Sequence, residues 1–230
     1  MFIERIKDVC CICGNPIGGT GYRYDTWGRK CHLTHYTSTC RSCGRIVPVG
    51  HQFCASCRKS CVTSENQLRV QFIYSEVKNR LAVMGIHLPK DNLTISIVDR
   101  QKLNSLLNCG SADNFDGLTI SKVSFSGKSH QIYLLESLPT IRYKTVLAHE
   151  CGHVFLNEHD SVLNRGHIRE VEGFCQLVAY KVLLFDDTKE SEIMRSNLLQ
   201  SQDPIYGEGF RVMKRREEQL GWTRMLANYS

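Results

Sequence analysis

Apolar positions along the chain change their spacing several times, and each change predicts a new element. Over 65–84, Leu68, Phe72, Val77, Leu81 and Met84 recur near one face of a helix, which Gly85 ends and Pro89 keeps from restarting. Leu93, Ile95 and Ile97 then alternate with polar residues, the two-residue period of a strand, before Asp99 caps a short helix. Two more strands, 117–125 and 130–135, flank Ser126, Gly127, Lys128 and Ser129, which read as their turn. A phosphate loop would need glycine where Lys122 stands. The second strand runs into a helix on which Ile141, Thr145, Ala148, Gly152 and Leu156 continue one side, with Ser137 as its cap and Pro139 in its first turn. A helix over 168–184 follows, with Val171, Phe174, Leu177, Val178 and Val182 as its apolar contacts. The pattern predicts an α+β fold, a small mixed sheet with helices, and no stretch reaches the length of a membrane span.

The helix after the strands carries His149-Glu-Cys-Gly-His153. Residues four apart share a helix face, so both imidazoles can reach one metal, and Glu150 sits beside it as a general base. Two structural histidines on a buried helix are the plainer alternative. A third ligand decides the class. Glu172 follows His153 on the next predicted helix, at the spacing of gluzincin-type peptidases. Glu170 competes, but two residues along a helix is a rotation of roughly 200°, so only one of the pair can face the metal. His159 stands where metzincins place a third histidine, yet Leu156 occupies the position at which those enzymes turn on glycine. The spacing favours Glu172.

Nine of the twelve cysteines fall between Cys10 and Cys61. Cys40-x2-Cys43 and Cys54-x2-Cys57 form two knuckles able to close one tetrahedral zinc site. Cys10, Cys13 and His35 supply a second site, with either Cys31 or His32 as its fourth ligand. His32 reproduces LIM spacing, whereas Cys31 offers the stronger thiolate. Cys109, Cys151 and Cys175 read as small apolar residues. Residues 1–9 carry four charges and no export segment, so a reduced, cytoplasmic setting is expected, with metal rather than disulfides.

Three segments carry a resemblance: 147–153 around the two histidines, Val171-Glu-Gly-Phe-Cys-Gln176, and Pro204-Ile-Tyr-Gly-Glu-Gly-Phe-Arg211. In order and approximate spacing they resemble the plant "DA-one" organ-size regulators, which are LIM-domain zinc peptidases. The likeness covers most of the chain. It implies a LIM-like double zinc module over 1–64, a connecting helix over 65–90 and a gluzincin-type metallopeptidase domain over 91–230. His149, His153 and Glu172 would hold the catalytic zinc, and two structural zinc ions would sit in the cysteine module. The plant family's degenerate second LIM-like module favours Cys31 there. The resemblance also implies intracellular protein substrates. Ubiquitin-interacting helices, which precede the LIM region in plant members, have no counterpart before Cys10.

The expected activity is zinc-dependent endopeptidase cleavage with Glu150 as base. Tyr206 is the candidate stabiliser of the developing oxyanion and His167 a second one; the plainer reading of Tyr206 is a loop residue that caps the next helix. By analogy with gluzincins, the strand over 130–135 is expected to be a sheet edge that receives an extended substrate. The net charge of +6 lies wholly in residues 1–64, with nine Lys/Arg against three Asp/Glu. These basic residues are scattered without a stripe or recognition helix, which points to a protein partner for the module rather than nucleic acid. Two other classes remain: a catalytically silent adaptor, and a repressor-cleaving peptidase of ImmA/IrrE type. The intact Glu150 weighs against the adaptor, and the cysteine module weighs against the repressor-cleaving type.

Overall fold

The computed structural model describes residues 9–19, 21–107, 115–125 and 127–229. Cys109 and Ser126 lie outside the described residues. The chain divides into two compact units, Met1–Ser60 and Cys61–Ser230.

The first unit holds two short antiparallel hairpins and a one-turn helix. β1 (Tyr22–Tyr24) pairs with β2 (Lys30–His32), β3 (Thr37–Thr39) pairs with β4 (Ile46–Pro48), and α1 spans Ala55–Lys59. The same turn is used twice. Gly14 N–H donates to Cys10 O and Gly44 N–H to Cys40 O, each at 2.9 Å, and the glycines sit at φ of 74° and 70°. That left-handed backbone, cheap only for glycine, turns both thiols of each Cys-x2-Cys pair to one side. The buried interior is mainly sulfur: Cys40, Cys43, Cys54 and Cys57 with Val47 in one cluster, Cys10 and Cys31 with Ile46 in another. So little aliphatic surface offers few contacts to hold the unit together without metal.

The second unit is mixed α and β. β5 (Cys61–Val62) precedes α2 (Gln67–Val83), β6 (Leu93–Val98), α3 (Arg100–Leu107), β7 (Gly117–Ser124), β8 (Gly127–Leu135) and β9 (Leu138–Pro139). Then come α4 (Thr140–Glu158), a 3-10 turn at Val162–Arg165, α5 (Ile168–Leu183), α6 (Lys189–Gln200), α7 (Tyr206–Leu220) and α8 (Trp222–Ala227). The sheet order is β6-β8-β7, with β6 parallel and β7 antiparallel to β8. No helix among the described residues is long and apolar enough to cross a membrane.

Four expectations are corrected. The strand over 130–135 is the centre of the sheet, as part of β8, and β7 is the edge that runs beside α4. Gly127, Lys128 and Ser129 belong to β8, in register with Ser124, Val123 and Lys122, so the turn is tighter than the sequence implied. Ser137 does not cap α4: it takes φ of 63° and donates its N–H to Val62 O, while Pro139 pairs with Cys61 and itself stands at the cap position. On α2 the inward face is Val70, Ile73, Val77 and Leu81, and Leu68 and Phe72 point to solvent. Ion pairs border that face. Arg80 grips Asp186 with both guanidinium nitrogens at 2.7 Å, and Glu76 pairs with Lys144 of α4 at 2.7 Å.

Candidate metal centre

α4 and α5 pack closely because Gly152 removes a side chain from their contact, and α5 and α7 because Gly173 does the same at theirs. A Cβ on Gly152 would lie 3.0 Å from Cys175 Cα, and one on Gly173 would lie 2.3 Å from the Gly209 backbone of α7. Glu172 on α5 is thereby held against the face of α4 that carries His149 and His153. Their Nε2 atoms lie 3.2 Å apart, and Glu172 Oε2 lies 3.1 Å from the first and 3.5 Å from the second. Three donors around a tetrahedral zinc with bonds of about 2.0–2.1 Å would be about 3.3 Å apart, so the set fits the ion without rearrangement. Glu172 Oε2 is buried, and among the described residues no group other than the two imidazoles approaches it as a hydrogen-bond partner. A carboxylate oxygen buried in that state is costly unless a cation meets it. Burial pushes the Glu172 carboxyl up, but the two imidazoles outweigh it and bring the group to about 2. Burial opposes the charged form of His153, yet Cys175, Glu172 and Glu150 raise it well above its ordinary value.

The competing ligands point elsewhere. Glu170 pairs with Arg216 at 3.2 Å. α4 runs past Leu156 to Glu158, and His159 Nδ1 donates to Phe155 O at 2.9 Å in closing it. His167 caps α5, its Nδ1 accepting from Arg169 N–H at 3.3 Å, and it stays exposed.

Glu150 is only 5 % exposed and lies between α4 and the edge strand. Thr119 Oγ1 donates to its Oε2 at 2.7 Å, and a Cβ on Gly117 would come within 2.7 Å of its Oε1. Residues 117, 119 and 121 alternate onto the side of β7 that faces α4, as the strand period requires. A cavity of about 630 Å³ opens over His149, Glu150, His153 and Glu172, and it is lined further by β7, by Met194 and Leu198 of α6, and by Tyr206. The Tyr206 ring centroid is 6.1 Å from that of His149. Burial, then Glu172 and Glu150, raise its phenol, which keeps the hydroxyl proton at neutral pH.

Sequence reasoning missed Thr119 and Gly117, although alternation along their strand was the available signal. It also missed Cys175, which groups with His149 and His153 as a possible metal-holding set.

In the first unit, Cys40, Cys43, Cys54 and Cys57 converge, all buried, and could hold a metal. Cys54 Sγ accepts from Cys57 N–H, and Arg45 Nη1 approaches Cys43 Sγ at 3.4 Å. The other group is Cys10, Cys13, His32 and His35, with His32 rather than Cys31 as its fourth member. Adjacent residues of a strand face opposite ways. On β2, His32 joins that group, while Cys31 is fully buried beside Cys10, where burial first and Cys10 next hold its thiol up at about 11. Cys10 is opposite in character: burial works against its thiolate, yet backbone N–H donors bring it down to about 5.

Set against protein-family models, curated proteins and solved structures, the chain matches none of them.

Proposed function

We propose that the chain is a zinc-dependent endopeptidase of gluzincin type acting on proteins, with the cysteine module binding a protein partner. One observation carries this reading: a buried, unpartnered carboxylate oxygen faces two imidazoles at tetrahedral spacing, with Glu150 over the same cavity. The resemblance to LIM-domain zinc peptidases supports it from the sequence side.

His149, His153 and Glu172 would hold the ion, which when bound supplies Lewis acidity to polarise a water and the scissile carbonyl. The remaining work falls to side chains. Glu150 takes the proton from the attacking water and delivers it to the leaving amide nitrogen. Thr119 holds one of its carboxylate oxygens, which fixes the direction in which the other acts. Tyr206, protonated, can donate to the carbonyl oxygen as charge develops there. The open edge of β7 offers backbone N–H and C=O groups to an extended peptide lying along the cavity. A purely structural metal site would have no use for a carboxylate held in this way.

Zinc content and cleavage of unfolded protein substrates, measured on the wild type and on Glu150→Gln and His153→Ala, test the proposal. Glu150→Gln should lose cleavage and keep all its zinc, while His153→Ala should lose one equivalent. Wild-type cleavage by Glu150→Gln would end the peptidase reading.

A further inference from the structure

α4 carries one more polar side chain to the cavity wall beyond its two histidines. His149, His153 and Asn157 follow one another at intervals of four, so they share a helix face, and all three line the cavity. Contacts between β7 and α4 advance in the same direction along both: Gly117 lies against Val146 and Glu150, Thr119 bonds Glu150, and Ser121 bonds Asn157. Strand and helix therefore run side by side. Four residues of helix rise about 6 Å, a distance that roughly two residues of an extended chain span.

A chain of hydrogen bonds fixes which way the Asn157 amide points. His130 is buried in β8 with both ring nitrogens engaged, Nε2 with Glu158 Oε2 at 2.5 Å and Nδ1 with Ser121 Oγ at 2.7 Å. The carboxylate accepts, so Nε2 donates, and Nδ1 of the neutral ring accepts from the Ser121 hydroxyl. Ser121 Oγ accepts in turn from Asn157 Nδ2 at 2.8 Å, and Asn157 Oδ1 accepts from Asn164 Nδ2 at 3.0 Å. Beyond these bonds the amide nitrogen has a second N–H and the oxygen a second lone pair. One donor and one acceptor side by side match the peptide groups of a main chain. Fastening α4 to the sheet does not depend on this amide, because His130 already holds Glu158 and Lys128 Nζ donates to the backbone oxygens of Asn157 and Glu158 at 2.9 and 2.7 Å.

We propose that Asn157 is a substrate-binding residue that hydrogen-bonds the main chain of an extended peptide two or three residues from the scissile bond, with Ser121 and His130 as the positioning residues that hold its amide. This rests on the peptidase reading above and names a contact that sets how long a peptide the site engages.

The test uses the whole zinc-loaded chain and a fluorescent unfolded peptide with one cleavage site. Asn157→Asp keeps the side chain's size but has no N–H for Ser121 or for a substrate. Its KM should rise about 3–10-fold, the effect of one neutral hydrogen bond, with kcat little changed. Ser121→Ala should share that rise and Ser121→Thr, which keeps the hydroxyl, should reverse it. Shortening the peptide one residue at a time from each end should cost wild type the same factor at one position, and Asn157→Asp should not respond there. Unchanged KM in Asn157→Asp, or a lowered Tm with the response to shortening intact, would overturn the proposal and leave Asn157 a tie between helix and strand. Binding of the uncleaved peptide is read by anisotropy in a Glu150→Gln background with and without Asn157→Asp. Weaker binding with Asn157→Asp, when wild type cleaves nothing, would sink the peptidase reading and keep the peptide contact. Equal binding in the two backgrounds, or none in either, would sink the contact whatever the catalysis.

Discussion

Replacing Gly209 by alanine tests how the centre is held together. Gly209 lies on α7 one turn after Tyr206, where α7 crosses α5 at Gly173. A Cβ at 209 would stand 2.1 Å from Arg169 O, and backbone cannot swing aside as a flexible side chain would. Ordinary carbon–oxygen contact begins near 3.3 Å, so the helices must separate by roughly 1 Å. Overpacking of this kind costs about 1–3 kcal/mol, and a backbone-to-backbone clash belongs at the upper end. Alanine returns about 1 kcal/mol through its better helix propensity, leaving a net loss of about 2 kcal/mol. For a unit of this size that corresponds to a drop in Tm of about 4–8 °C, measured by calorimetry on the zinc-loaded protein. Tyr206 rides on the displaced turn, and a misplacement near 1 Å can cost on the order of 100-fold in turnover. Zinc content should fall as well, because Glu172 lies on α5 between Arg169 and Gly173, the two positions that α7 meets. A Tm unchanged or raised by Gly209→Ala would refute the close-contact argument. Unchanged turnover alongside a lowered Tm would remove Tyr206 from the mechanism.

Three further outcomes are expected. Thr119→Val removes the donor to Glu150 Oε2; a hydrogen bond to a charged group contributes about 1.5–3 kcal/mol, so kcat should fall roughly 10-fold or more with little change in KM. Burial raises the Asp186 carboxyl, but Arg80 and Lys144 outweigh it and hold it below its ordinary value. Its contribution to stability is therefore present at neutral pH and lost as pH falls below about 4 through the lower folded value. Urea unfolding should show Asp186→Asn less stable than wild type by about 2–3 kcal/mol at pH 7, with the gap closing below pH 4; a gap independent of pH would contradict the ion-pair account. Stripping metal with a strong chelator under reducing conditions should unfold residues 9–60, whose core is mostly thiol, and circular dichroism of that segment prepared alone with zinc would report it. A spectrum unmoved by the chelator would mean that the cysteine clusters stand without an ion.

Much of the site was legible because its signals are local. Cys-x2-Cys followed by glycine specifies a turn, and His149 with His153 share a face by helix geometry alone. Glu172 could be preferred over Glu170 on its spacing from His153, since a helix cannot aim both inward. What failed depended on partners distant in sequence. Cys31 and His32 are neighbours of equal chemical promise, and only the folded arrangement brings His32 into one group with Cys10, Cys13 and His35. Leu68 and Phe72 fit a helical stripe as well as Val70 and Ile73 do, and only packing against the rest of the unit decides that the second set is buried, with Glu76 and Arg80 pairing with Lys144 and Asp186 at its border.

The sequence by itself determined the α+β character, the two cysteine knuckles and the two histidines with their glutamate, since each follows from spacing within about one or two turns of chain. Tertiary structure alone decided that β8 is central and β7 an edge, that Thr119 and Gly117 meet Glu150 from 31 and 33 residues away, and that Cys175 groups with His149 and His153. The physical reason is the same in each case. Backbone geometry sets which residues share a face, but which face is buried, and against what, depends on packing between elements that no local pattern encodes.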